Sequence, residues 1–290
     1  MKKILYIPKI KIHNANALSS PYTIGFPAMT AWGGGVHAIE RKLHTAGYPG
    51  LTFKNIGVAC HHINLQTYKG TGDYVSSLII NLNPLKKNGE KSSFIEEARC
   101  HLTVSLIIEY ECPNLDDTDK FINIVENIVH GNFKLAGGDI LNFNKIEIIQ
   151  IEDKASGQKF LQRLMPSYCL VDRRDLMIKS MEEGRDAIDA LLDHLKVTQT
   201  SKIEDTGEVT WSSHRKDKGW IVPISIGYQG ITDICNTQDQ RDRDTPHRFA
   251  ESVVSLGQFI MPYRFTNIEE ILWQYNVDLD KNLYMYQQIK

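Results

Sequence analysis

The stretch from Lys11 to Lys42 gathers residue types suited to holding a polyanion. Asn14, Asn16, Ser19 and Ser20 are short amides and hydroxyls within a turn-forming run, His13-Asn14-Ala15-Asn16-Ala17-Leu18-Ser19-Ser20-Pro21. Such side chains hydrogen-bond base edges or phosphates, and the backbone N–H groups of a turn do the same. Lys11 precedes the run and Arg41-Lys42 follow it, each offering a phosphate counter-charge. Gly33-Gly34-Gly35 interrupts a helical pattern at about 1 kcal/mol per glycine relative to alanine. That cost signals close backbone approach, to a ligand, another chain or the underlying sheet. Gly137-Gly138 reads either as bare backbone near a phosphate or as an ordinary turn.

Histidines supply the competing chemistry. His37, His61 and His62, with Tyr68 or Lys69 nearby in sequence, could act as acid and base in metal-independent cleavage of RNA at a 2′-hydroxyl. Against this, His37 falls within a helix, and His61 and His62 are adjacent in a strand, so one must face inward. No HExxH, Walker A, GxSxG or paired-carboxylate arrangement stands out. The five cysteines are far apart and form no CxxC pair, which argues against a zinc cluster or redox motif. Cys60 and Cys100 read as small buried hydrophobes. No catalytic residue, metal or cofactor is expected.

Apolar spacing predicts the elements that position these residues. Lys2 to Ile12 alternates, with Ile4, Tyr6, Pro8, Ile10 and Ile12 on one face and Lys3, Leu5, Ile7, Lys9 and Lys11 on the other. Pro8 puts this strand at an edge or bulge. After Pro27, Trp32, Val36, Ile39 and Leu43 share one helical face, and Gly47 ends the helix. Trp32 on that face can be core or a stacking platform. Ile56 to Gln66 and His101 to Tyr110 are strands, the latter apolar enough to be central. Asp116 to Val129 reads as a helix with Phe121, Ile124, Val125 and Ile128 inward. Phe133 to Gly138 and Ile146 to Ile151 form a fourth strand region.

The order β-α-β-β-α-β is the ferredoxin-like or RRM-like arrangement. The fold class is therefore α+β, with an RRM-like body over residues 1–152. Residues 69–98 form an inserted hairpin or loop. Residues 153–290 read as a mixed, partly helical C-terminal half packed on that body. Within it we expect a helix from near Asp175 to Lys196, a strand over Val222–Ile226, and a helix over Thr245–Leu256 with Phe249, Val253 and Leu256 as its spine.

The 290 residues carry a net charge of −2, unevenly placed. Before Asp73, eight basic residues face one acid, Glu40, giving +7 and leaving −9 for the remainder. A basic part on a near-neutral whole suggests a polyanion contact confined to one face. No run of eighteen apolar residues suggests a membrane span, and the apolar start is too short for a secretory signal. The cytoplasm is the expected location.

Specific motifs add to this reading. Ile12 through Pro27 closely resembles the opening of the Csy-two family, the Cas-five-like subunit of type I-F CRISPR complexes, and Val36-His37-Ala38-Ile39-Glu40-Arg41-Lys42 continues the likeness. It recurs at Leu135–Gly138, Leu164–Arg173, Val222–Tyr228, Arg243-Asp244, Pro246, Arg248-Phe249, Glu251-Ser252 and Ser255–Arg264. The family favours Glu near Gln258 and His near Tyr263, so those positions depart from it.

The resemblance implies a non-catalytic protein with an RRM-like body. It would pair with a large Csy-one-type subunit and hold the 5′ handle of the crRNA, beside Csy-three-type backbone subunits and possibly target DNA. Under it, Lys11, Asn14, Asn16, Ser19, Ser20, Arg41, Lys42, Gly137 and Gly138 are the candidate RNA contacts. Trp32, His37, Arg173, Arg243 and Arg248 are candidates for RNA or partner contact. A scaffold that never touches RNA is the further alternative.

Overall fold

Fifteen residues, Lys2–Asn16, form the strand β1 in the computed structural model of the chain, which describes residues 1–79, 85–91, 97–113, 115, 117–131, 133–238, 242 and 244–288. β1 does not keep one alternation. Lys9 and Asn14 have positive φ, 50° and 55°. Register with the neighbouring strand shifts between Ile7 and Ile10 and again between Ile12 and Ala15. Each bulge exchanges the two faces of the strand. Leu5 and Ile7 therefore share a core with Ile10, Ile12 and Ala15, whereas Ile4 and Tyr6 belong to a core on the opposite side. This corrects the expected common face of Ile4, Tyr6, Ile10 and Ile12. The expected turn over 13–21 also begins later, because β1 runs through Asn16 before a small hairpin of Leu18–Ser20 with Thr23–Ile24.

Then come α1 (Met29–Thr45), β2 (Thr52–Leu65), β3 (Arg99–Glu111), α2 (Thr118–His130), β4 (Gly138–Asn142) and β5 (Glu147–Ile151). β3 lies between β1 and β2, all antiparallel. The far side of β1 is shared, by β5 along Lys2–Tyr6 and by β4 along Lys11–His13. α1 buries Met29, Trp32, Val36, Ile39 and Leu43, and α2 buries Phe121, Val125 and Val129, over one face of these strands. Asp117 caps α2 by accepting from the Lys120 N–H at 2.9 Å. The glycine run in α1 is a packing device. A β-carbon at Gly33 would coincide with the Tyr286 ring, and one at Gly35 would press on Leu135 Cδ1 at 2.6 Å.

The second half contributes α3 (Lys154–Arg163), β6 (Tyr168–Asp172), α4 (Arg174–Glu182), α5 (Ala187–Leu195), β7 (Thr198–Ile203), β8 (Val209–His214), β9 (Trp220–Gly230), β10 (Ala250–Ile260), β11 (Gln274–Asp278) and β12 (Leu283–Gln287). β6 pairs with both β2 and β10, so one sheet continues through both halves. Its order is β11-β12-β9-β10-β6-β2-β3-β1-β4, with Lys134–Leu135 beyond β4 and β5 on β1, eleven antiparallel strands among the described residues. Phe160, Leu161 and Leu164 around α3, with Phe265, Ile268 and Ile271, cover the second face over Ile4, Tyr6 and Ile107.

Two expected helices differ. From Ala250 onward the segment expected as a helix over Thr245–Leu256 is instead the strand β10, which pairs along β9 from Gly230↔Ala250 to Trp220↔Phe259. The spacing of Phe249, Val253 and Leu256 fits a helix, but Val253-Val254 is β-branched and sheet pairing decides. The helix over 175–196 is broken at Gly184, φ 93°, after which Asp186 caps α5. At the start of the insertion, Ser77–Leu78 pairs with Thr67–Tyr68 just before it, while 80–84 and 92–96 lie outside the described residues.

Candidate nucleic-acid interface

α3 and the turns around Phe265 and Ile271 cover the second sheet face near Ile4 and Tyr6, and the bulge at Lys9 turns the next stretch of β1 onto the same face. Lys11, His13, His62, His101 and Thr103 line a shallow depression of about 150 Å³ there, with Leu141 at its rim. Lys11 stands opposite Thr103 of β3 and Asn142 of β4, and His62 of β2 also stands opposite Thr103. Lys9 and Lys11 are exposed, and among the described residues neither pairs with a carboxylate. By contrast, Lys2 pairs with Glu109 at 2.7 Å and Lys54 with Glu111 at 3.1 Å.

The rings of His13 and His101 stack with centroids 4.4 Å apart and planes 15° apart. The bulge at Asn14 aims its backbone N–H at His101 Nδ1, 3.2 Å away, and the Gln66 amide donates to Asn14 Oδ1 at 2.6 Å. Arg99 donates to the Asn14 carbonyl at 3.3 Å. Burial, and then the adjacent His13 ring, hold the His101 imidazole below its usual pKa. The pair thus presents a flat aromatic surface beside the unpaired Lys11, an arrangement suited to stacking a base while neutralising a phosphate.

Asn16 is exposed at the end of β1, where its Oδ1 accepts the Leu18 N–H at 3.1 Å. Gly137, φ 77°, sits in the tight turn before β4, close to Asn16. Gly138 does not offer open backbone: it is buried, and a β-carbon there would meet the His13 carbonyl at 2.7 Å and Ile12 at 2.6 Å. Ser19 and Ser20 both bond Thr23 Oγ1, at 2.8 and 2.7 Å, and Ser20 is buried, so these hydroxyls are engaged within the small hairpin.

Arg41 and Lys42 are exposed on α1, which covers the opposite sheet face, so they do not join Lys11 and Asn14 in one cluster. Lys42 Nζ lies 5.4 Å from the centre of the Phe133 ring. Trp32 is wholly buried and donates to the Pro27 carbonyl at 3.2 Å. Its place on the apolar helix face makes it core, the first of the two readings its spacing allowed. His37 is exposed on α1. Arg173 pairs with Asp175 at 3.2 Å and also bonds Gln258, while Arg248 donates to Asn282 at 2.7 Å. Arg243 lies outside the described residues.

Of the histidines considered for acid–base work, His37 stands apart on α1, while His61 and His62 sit at the bulge in β2, beside Ser105 and Thr103. His61 Nδ1 bonds the Pro166 carbonyl at 2.8 Å and Nε2 bonds the buried Ser105 hydroxyl at 2.7 Å, so both ring nitrogens are engaged. Burial lowers its pKa. A Ser–His–Asp grouping invisible to motif reading joins Ser180, His194 and Asp217, with His194 Nε2 2.9 Å from Ser180 Oγ and its Nδ1 on the Asp217 carboxylate. Ser180 and His194 are 2% and 4% exposed, so the grouping ties α4 and α5 to the segment after β8. Sequence reasoning also missed His13, His101 and Thr103 as members of the face. Polar residues at every second position of an otherwise apolar strand, His101, Thr103 and Ser105, were the available signal.

A family model described as CRISPR-associated protein (Cas_Csy2) matches residues 5–286. The chain is 31% identical over 311 aligned positions to CRISPR-associated protein Csy2 of Pseudomonas aeruginosa (strain UCBPP-PA14), covering 98% of this chain and 94% of that one.

Proposed function

The chain belongs to the Csy2 family of CRISPR-associated proteins, and from that premise we propose that it is a non-catalytic subunit of a type I-F Csy complex that grips the 5′ handle of the crRNA on the open end of its sheet. A large Csy-one-type subunit would share the handle, and Csy-three-type subunits would carry the guide onward. The observation that carries this reading is the unpaired Lys11 in one depression with the stacked His13–His101 rings, with the unpaired Lys9 two residues before it on β1. The lysines would neutralise phosphates, the rings would stack a splayed base, and Asn14 and Asn16 would reach its edge. The RRM-like reading of residues 1–152 is supported by the element order and by the strand order β2-β3-β1-β4. We read residues 153–290 as part of the same body, since the sheet crosses between them at β2 and β6. On this proposal Arg41 and Lys42, behind the sheet, serve a different stretch of RNA or a partner.

The test is salt-dependent binding of a handle oligonucleotide by the complex assembled with wild-type chain or with Lys9→Ala/Lys11→Ala. Losing two single-strand phosphate contacts lowers the slope of log K against log salt by about 1.4. An unchanged slope removes both lysines from the interface.

A further inference from the structure

A second cleft, on the helix side of the sheet, has a chemistry unlike that of the RNA face. It opens between α1 and the outermost hairpin, β11–β12, and encloses about 200 Å³. Tyr275 stands opposite Tyr286 and Val277 opposite Tyr284, so these side chains share one face of the hairpin. Tyr286 is buried against Gly33, whereas Tyr275 and Tyr284 are 53% and 36% exposed. The three ring centres lie 6.0 to 6.3 Å from one another. Glu40 lines the facing wall. Its Oε1 accepts the Phe53 N–H at 2.9 Å, and among the described residues no hydrogen bond uses Oε2 and no cation pairs with this carboxylate. Lys54, also at the cleft, is occupied by Glu111. β11 is the edge strand, and Val277 and Leu279 extend the exposed apolar strip beyond the cleft.

We propose that this cleft receives an arginine side chain projected by a partner protein, its guanidinium lying against the Tyr275 and Tyr284 rings and pairing with Glu40. The charge pattern selects that occupant. Lys54 and His37 also line the cleft, but Lys54 pairs with Glu111 and neither pairs with Glu40, so the unpaired carboxylate repels a phosphodiester strand, whereas aromatic faces and a carboxylate together attract a planar cation. The volume suits one long side chain, and the exposed strip along β11 supplies apolar surface for the segment carrying it. The proposal does not depend on the RNA reading, because the two sites lie on opposite faces of the sheet.

The purified chain labelled with 3-fluorotyrosine is titrated with N-acetylarginine amide, N-acetylnorleucine amide and uridine monophosphate, following the fluorine signals by NMR. The Tyr275 signal is assigned by its loss in Tyr275→Leu. The arginine probe should give a saturable shift of that signal, with the other two probes inert. Glu40→Gln keeps the acceptor for the Phe53 N–H but removes the charge, and should weaken the arginine response about threefold to fivefold with an unchanged thermal midpoint. An equal response to the norleucine probe, a stronger response to the nucleotide, no saturable response, or an unaltered Glu40→Gln affinity would each overturn the proposal.

Discussion

Replacing Gly34 by alanine should stabilise the protein, and the same change one residue earlier should destabilise it. Both sites lie inside α1, where alanine gains about 1 kcal/mol over glycine from helix propensity alone. At Gly34 the new β-carbon meets nothing within 4 Å and the position is exposed, so that gain is realised in full. At Gly33 the new β-carbon would occupy the place of the Tyr286 ring, which is buried between the helix and β12. Overpacking of this kind costs about 1–3 kcal/mol, and displacing a whole ring belongs at the upper end, so the net loss is about 2 kcal/mol. Gly35 falls between, because its obstacle is the tip of the Leu135 side chain, which can rotate. Thermal unfolding followed by circular dichroism should raise the Gly34→Ala midpoint by about 2 °C and lower that of Gly33→Ala by about 4 °C. Equal shifts for both variants, or a Gly33→Ala midpoint at or above wild type, would refute the packing of α1 on β12.

Further predictions concern titration and the C-terminal clamp. His61 has a depressed pKa when folded, so the unfolded chain binds more protons below about pH 6.5, and stability falls as pH drops through that window. Thermal midpoints of His61→Gln between pH 7.5 and 5 should decline less than those of wild type, and parallel curves would exclude His61 as the source. A phosphate bound near His101 would restore proton affinity, so binding takes up protons and handle affinity should rise from pH 7.5 to 5.5. His101→Asn should flatten that rise in a fluorescence-anisotropy titration. His194→Ala leaves the Ser180 hydroxyl and the Asp217 carboxylate without their shared partner, at a cost of about 2–3 kcal/mol. Limited proteolysis should then cut sooner in the β7–β8 hairpin, whose strands are exposed nearly throughout.

Periodicity reached α1 and α2 because each helix buries one face against a single core, and it reached β3 because burial on both faces leaves an almost continuous apolar run. Trp32, Val36, Ile39 and Leu43 predicted α1, and the apolar run over His101–Tyr110 predicted a central strand. It failed where a local backbone feature overrides spacing. Two positive-φ residues in β1 exchange its faces; Pro8 signalled an edge or a bulge without deciding between them, and the strand is interior and bulged there. β10 shows the complementary failure, since only its pairing with β9 separates a strand from a helix of equal apolar content. The site was partly legible for the same reason. Lys11 and Asn14 stood out by type, but their neighbours His62, His101 and Thr103 arrive from other strands through register. Arg41 and Lys42, close to Asn14 in the chain, are carried by α1 to the other side of the sheet.

The most direct test of the central claim is ultraviolet crosslinking of a uniformly 4-thiouridine-labelled crRNA handle within the assembled complex, with crosslinked peptides mapped by mass spectrometry. Adducts on peptides containing Lys9–Asn16 and His101–Thr103, lost in Lys9→Ala/Lys11→Ala, are the predicted result. Adducts confined to α1 around Arg41-Lys42, or to residues 153–290, would contradict it.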